Sequence, residues 1–307
     1  AIPFAIRPAV DGLDLVSWAE ANRARIEDWL FEHRALLFRG FGVRDVATFD
    51  RFVGATSDGQ KLEYKDRTTP REDRGTRIYT STVHPPEERI ELHNEGTYWV
   101  RWAAKPYFLC IKASATGGET PIADVRRVHD RIDPEIRARF AERGLMLVRN
   151  FNQGFGLPWQ EVFQTSEPKE VEAYCAANDI HYEWQSGGRL CTRQVRPAIR
   201  RHPKSGEPVW FNHGAFFHHT SLAPALRSAL EGEYGVEGLP YNTCYGDGSA
   251  IEPEVAAHLR AAYAAERVLF PWRDGDVMLL DNMSVAHARE PYTGAREVVV
   301  AMTDAVD

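Results

Sequence analysis

Apolar residues in this chain come in short runs that glycine, proline or charge brings to a stop, and that pattern limits the fold more than any other feature. Residues 35–41, 77–82, 89–93, 107–112, 145–151, 276–281 and 296–302 read as short strands. Helical patterns cover 14–33, where Leu15, Trp18, Ala19, Ile26, Trp29 and Leu30 share a face. Others cover 45–53, 125–143, 169–178, 223–233 and 253–266. Within 125–143, Asp133-Pro134-Glu135 gives a helix-start signal, and Pro253 suits a first helical turn. The turns after the strands lack GxGxxG and GxxxxGK[ST], which argues against a regular βαβ alternation. The expectation is a mainly-β chain with helices, a double-sheet barrel or jelly roll. It forms one domain over 1–307, with a large insertion at about residues 126–205 between core strands. Residues 57–77 are polar and rich in turn formers, which suits a functional lid or a disordered segment equally.

Bulk properties narrow the function by exclusion. At 43% hydrophobic residues over 307 positions, the chain can bury a core without covalent staples. A net charge of −7 with no run of Lys and Arg argues against a nucleic-acid partner. Cys110, Cys175, Cys191 and Cys244 include no CxxC pair and read as free thiols rather than zinc ligands. No apolar run is long enough to span a membrane. Ala1-Ile2-Pro3-Phe4 lacks the basic-then-apolar order of a secretory signal, so a cytoplasmic location is expected.

The chemistry is expected at His93-Asn94-Glu95. Residues i and i+2 of a strand face the same way, so His-x-Glu on a strand aims an imidazole and a carboxylate into one cavity. With a second histidine, the set suits a non-haem iron and leaves coordination positions open. The tripeptide is weak evidence alone, because 11 histidines and 44 acidic residues produce about one or two such matches by chance. The other match, His181-Tyr182-Glu183, reads as a surface or loop feature. Context favours the first. Residues 275–282 form a turn and a buried strand, His287 follows, and Arg296 lies nine positions later, where a guanidinium can grip a carboxylate in two-point geometry.

At these residues the chain resembles the taurine dioxygenase family of Fe(II)/2-oxoglutarate enzymes. Within it, the chain is similar to the branch of clavaminate synthase-like and peptide-synthetase-associated amino-acid hydroxylases, whose carboxylate ligand is Glu. The similarity covers most of the chain and includes residues 34–41, 92–95, 117–124 and 281–296. It implies a double-stranded β-helix core and a metal held by His93, Glu95 and His287. It also implies Fe(II), with 2-oxoglutarate and O2 as co-substrates. Arg296 would bind the distal carboxylate of 2-oxoglutarate, supported by Thr120, whose alternative role is turn capping. Arg289 could touch either acid group. The gap between His287 and Arg296 is shorter than in many members. A carboxylate at Glu95 fills the position that related halogenases leave for chloride, which favours hydroxylation.

The substrate is expected to be a small molecule, an amino acid or a derivative of one, free or tethered to a carrier protein. Tyr98, Trp99 and Arg101, directly after the metal motif, and Asn212 and His213, in an aromatic segment that continues to Phe217, are candidate substrate contacts. That segment could equally be a core strand and loop. Residues 154–159 are a candidate entrance. The rival substrates are small sulfonates or other catabolic acids. Two other classes compete: a non-catalytic metal-binding barrel, and a zinc hydrolase that would give Arg296 and Thr120 no role.

Overall fold

The computed structural model describes residues 2–62, 66, 77–80, 84–151, 154 and 156–306. A six-stranded sheet runs in the order Phe4–Ile6, Ala35–Phe38, Val277–Leu280, Trp102–Lys112, Glu297–Val306, Tyr79–Thr80. Its central strands are paired antiparallel, and Phe4–Ile6 with Ala35–Phe38 is its parallel pair. A three-stranded sheet places Val285–Arg289 between Ile90–His93 and Ile122–Asp124.

Side-chain alternation along the large sheet separates two cores. Leu36, Phe38, Tyr107, Leu109, Val277, Leu279, Val299 and Ala301 face out, against Leu15, Ile26, Phe49 and Phe52 of the N-terminal helices. Their neighbours Leu37, Phe108, Met278, Leu280, Val298 and Val300 face in and meet Ile122 and Val285 of the small sheet. The outer side of the small sheet, with Leu92, Ala123, Ala286 and Ala288, is covered by Val125–Arg131, Pro134–Arg143 and Pro253–Glu266. The polypeptide is therefore layered as helices, sheet, sheet, helices, and the inner space lies between the two sheets.

Residues 145–245 add a four-stranded antiparallel sheet, ordered Tyr241–Tyr245, Leu145–Phe151, Arg189–Arg196, His181–Gln185. It has a small core of its own around Phe151, Trp159, Val171 and Leu190. The sheet draws one strand from beyond residue 205, so the added unit reaches further than the expected insertion.

Two expected helices divide. Residues 14–33 form Leu15–Ala21 and Arg23–His33, broken at Asn22, and the Ile132-Asp133 junction separates Val125–Arg131 from Pro134–Arg143. In the second case the start signal acts as expected: the Asp133 carboxylate accepts the Glu135 N–H and Pro134 takes the first turn. Most of the expected 57–77 loop, and Ser81 and Thr82 of an expected strand, lie outside the described residues. Cys110, Cys175 and Cys191 are buried free thiols, and Cys244 is half-buried and free. No helix among the described residues is long and apolar enough to cross a membrane.

Candidate active site

His93 and His287 are direct cross-strand partners, which sets their imidazoles side by side with ring centroids 4.5 Å apart. Glu95 completes the set. One donor atom from each of the three lies within 4.8 Å of the others, and Glu95 Oε2 is 3.8 Å from His287 Nε2. The His93 Nδ1–H donates to the Glu91 carbonyl at 2.8 Å. That bond fixes the tautomer and leaves the Nε2 lone pair for a metal.

Glu95 reaches this place by a route the tripeptide does not describe. The strand ends at His93, so Glu95 sits in the turn beyond it, not on the strand as expected. Asn282 holds it there. Its Oδ1 accepts the Glu95 N–H at 2.8 Å, and its Nδ2 donates to the carbonyls of Glu95 and Ala103 at 2.9 and 2.8 Å. Asn94 answers by donating to the Asn282 carbonyl at 2.6 Å. Both asparagines are fully buried. Gly96 follows at a φ of +65°, and a Cβ there would lie 2.3 Å from the Trp99 ring, so the turn requires glycine. By contrast, His181-Tyr182-Glu183 is a strand rather than a loop, but it is an edge strand whose His181 and Glu183 are exposed. Placement on a strand therefore does not separate the two motifs. A second histidine brought within reach does.

A narrow cavity opens beside the two histidines, lined by Thr120, Arg289 and Arg296 and floored by Phe108, Val298 and Val300. The segments 116–121 and 288–293 are zipped together. Thr116–Gly117 pairs with Tyr292–Thr293, Gly118 N–H donates to Pro291, Glu290 N–H to Glu119 and Ala288 N–H to Pro121. This hairpin contact carries Thr120 and Arg296 to one cavity and accommodates the short interval from His287 to Arg296. The Thr120 hydroxyl accepts the Trp272 indole N–H at 2.9 Å, which directs its own hydrogen elsewhere. Arg296 Nε donates to the Gly118 carbonyl at 2.8 Å. Burial, with the nearby Arg289 charge, pushes the Arg296 guanidinium down to about 10, so it stays cationic at neutral pH.

Arg289 has another task. Its two terminal nitrogens donate to the carbonyls of His84, Pro85 and Glu88 at 2.6–3.0 Å, tying down the segment that precedes the His93 strand. Those two atoms are committed to backbone, while the Arg289 side chain also lines the cavity.

The expected substrate contacts divide. His213 lies against the metal group, with its ring 5.7 Å from His93 and stacked on Phe217 at 5.0 Å. Its Nδ1 hydrogen-bonds with Thr97, and burial holds its pKa well below the usual 6.5. Tyr98 packs edge-on to His213 at 5.3 Å, and Phe216 lies 5.1 Å from His93. Trp99 is buried beneath Tyr98 as packing. Asn212 is a turn former: it donates to the Ala198 carbonyl and accepts the Gly214 N–H, both at 2.8 Å. Arg101 is exposed, on a surface groove with Gln60, Lys61 and Arg77. Of the expected entrance, Phe155 lies outside the described residues. Gly156 and Leu157 line a small cavity with Arg149, Phe217 and Tyr241. Asn282, Trp272 and Thr97 were not expected. Asn282 stands within a motif-bearing stretch, but its partner is 187 residues away and local pattern cannot name it.

The model of the taurine catabolism dioxygenase TauD, TfdA family matches residues 2–302. The chain is 40% identical over 314 aligned positions to the dapdiamide synthesis protein DdaC of Enterobacter agglomerans, covering 99% of this chain and 95% of that one. It is 28% identical to a clavaminate synthase-like protein of Arabidopsis thaliana, covering 90% and 83%. Among solved structures, PvcB of Pseudomonas aeruginosa, described as an Fe, alpha-ketoglutarate dependent oxygenase from an isonitrile synthetic pathway, superposes with a TM-score of 0.57. That match has 15% identity and covers 97% of this chain and 84% of that one, a likeness of fold. With a family match over nearly its full length and a paired-histidine, carboxylate site between its sheets, the chain belongs to the TauD/TfdA family of iron(II)- and 2-oxoglutarate-dependent dioxygenases.

Proposed function

We propose that this dioxygenase holds Fe(II) through His93, Glu95 and His287, and oxidises an unactivated C–H bond of an amino acid or amino-acid-derived small molecule in natural-product biosynthesis. The observation that carries the site assignment is the convergence of the three donor atoms within 4.8 Å, beside a cavity holding Thr120 and Arg296. Two neutral imidazoles and one carboxylate suit a borderline divalent metal and leave room for other ligands. The bound metal supplies the activation of O2. The chain's own share is to orient and to exclude water.

Arg296 and the Thr120 hydroxyl grip the distal carboxylate of 2-oxoglutarate, and Phe108, Val298 and Val300 keep the cavity apolar around its methylenes. Thr97, Tyr98, His213, Phe216 and Phe217 border the other side of His93 and form the substrate wall. The substrate class rests on the relatives: DdaC is a dapdiamide synthesis protein and PvcB acts in an isonitrile synthetic pathway. A substrate tethered to a carrier protein belongs to the same proposal. Glu95, occupying the carboxylate position, favours hydroxylation over halogenation. We also infer that the two sheets form a double-stranded β-helix core within one domain over 1–307.

Anaerobic titration with Fe(II) and 2-oxoglutarate is expected to give a visible metal-to-ligand charge-transfer band that Glu95→Ala weakens or abolishes. No band from the parent, or an equal band from Glu95→Ala, rejects the site. Succinate release across a panel of amino acids, free and carrier-bound, then tests the substrate class. Release with small sulfonates alone overturns it.

A further inference from the structure

On the far side of the His93 strand from the co-substrate cavity lies a second cavity. Its floor includes Leu92, a member of the helix-side core rather than the inner one. Its roof is the helix Pro253–Glu266, which presents Arg260 and Tyr263 at a spacing of three, with Arg267 just past its end. That spacing puts all three on one face.

Among the described residues, two donors of this cavity have no hydrogen-bond partner. They are Nη1 of Arg260 and the hydroxyl of Tyr263, both buried. The Tyr263 side chain is only 6% exposed. Glu290 takes the other two arginines, Arg267 at 2.6 Å and Arg89 at 3.0 Å. Glu91 is the lining carboxylate whose charge acts on Arg260, and among the described residues the two form no ion pair within 4 Å. With Glu91, three arginines face two glutamates, an excess of one positive charge. Buried donors without acceptors are costly unless a ligand meets them. A guanidinium beside a phenol is a donor set that suits an oxyanion.

We propose that this cavity is a binding site for a small oxyanion, a carboxylate or phosphate group, gripped by Arg260 with the Tyr263 hydroxyl as second donor. The occupant sits one ring from the metal group. Phe216 lines the cavity and also packs on His93, with centroids 5.1 Å apart. The site uses neither the metal ligands nor Arg296, so it stands or falls apart from the oxygenase assignment.

The test is calorimetric titration of the full chain, without 2-oxoglutarate, with inorganic phosphate in one arm and malonate in the other. Saturable binding in the millimolar range or tighter is expected in at least one arm, and the arm that saturates names the oxyanion. Arg260→Met is expected to weaken it about tenfold or more. Tyr263→Phe, which removes one oxygen, is expected to weaken it severalfold, with circular dichroism and ligand-free melting unchanged. Should Arg260→Met fail to fold, Tyr263→Phe decides alone. Failure of both anions to saturate, or equal affinity of Tyr263→Phe and the parent, overturns the proposal.

Discussion

Asn282 is where a single side chain determines whether the site exists. Glu95 lies past the end of its strand, and the Asn282 amide bonds both its backbone N–H and its carbonyl there. Asn282→Ala leaves the buried N–H of Glu95 and the Ala103 carbonyl without those partners. The expected loss of stability is about 1–3 kcal/mol. Iron affinity is expected to fall about 10–100-fold, as when outer partners of metal ligands are removed. Asn282→Asp keeps an acceptor for Glu95 N–H and loses both donated bonds. Its stability loss should be comparable, with a smaller loss of iron affinity. Chemical denaturation and anaerobic iron titration on both variants separate the two effects. Equal iron affinity in parent and Asn282→Ala would show that Glu95 needs no such clamp.

At the scale of elements, the co-substrate cavity depends on the zipped segments 116–121 and 288–293 rather than on either alone. Gly118, at a φ of +71°, is the glycine packed on Arg296: a Cβ there would lie 2.4 Å from Ser114 Oγ and 3.0 Å from Arg296 Cδ. Gly118→Ala is therefore expected to displace Arg296 and cost about 1–3 kcal/mol of stability through overpacking and strain. The KM for 2-oxoglutarate should rise about tenfold or more while the KM for substrate changes little. An unchanged KM for 2-oxoglutarate would count against the role of Arg296. The same elements show what the sequence disclosed. His93, His287, Thr120 and Arg296 were legible because each stands in or just beside a short strand with a marked neighbourhood. The helix at Pro253–Glu266 was legible because its start signal is local. The turn that holds Glu95 and the carbonyl clamp of Arg289 were hidden, since their partners lie 187 to 205 residues away and carry no periodic signal.

Across the whole molecule, the two sheets and their helical covers must stay packed for the metal group to keep its geometry, and acid challenges that packing at a defined place. His218 joins the segment after the substrate wall to the loop that opens the C-terminal helix. Its Nε2–H donates to the Ile251 carbonyl at 3.1 Å, and its Nδ1 accepts the Thr220 N–H at 3.3 Å. Only the second bond needs the neutral ring, because a protonated Nδ1 cannot accept; the first survives protonation. Burial first, then the charges of His219, Arg260 and Arg227, push its pKa down to about 4 from 6.5, against the opposing bond to Ile251. The unfolded chain then binds more protons than the native one between those values. Stability contributed by keeping His218 neutral is present above pH 6.5 and is lost as pH falls toward 4. The carboxylates held below their usual range, such as Asp45 and Glu207, act in the same direction but from lower starting values, 3.8 and 4.5. A fall in urea midpoint between pH 7.5 and 5.0 is therefore a histidine effect at its upper end, to which His213 and His84, also lowered by burial, contribute beside His218. It should be smaller in His218→Gln, which keeps a donor and an acceptor but cannot titrate. An identical pH slope in the two proteins would assign the acid sensitivity elsewhere.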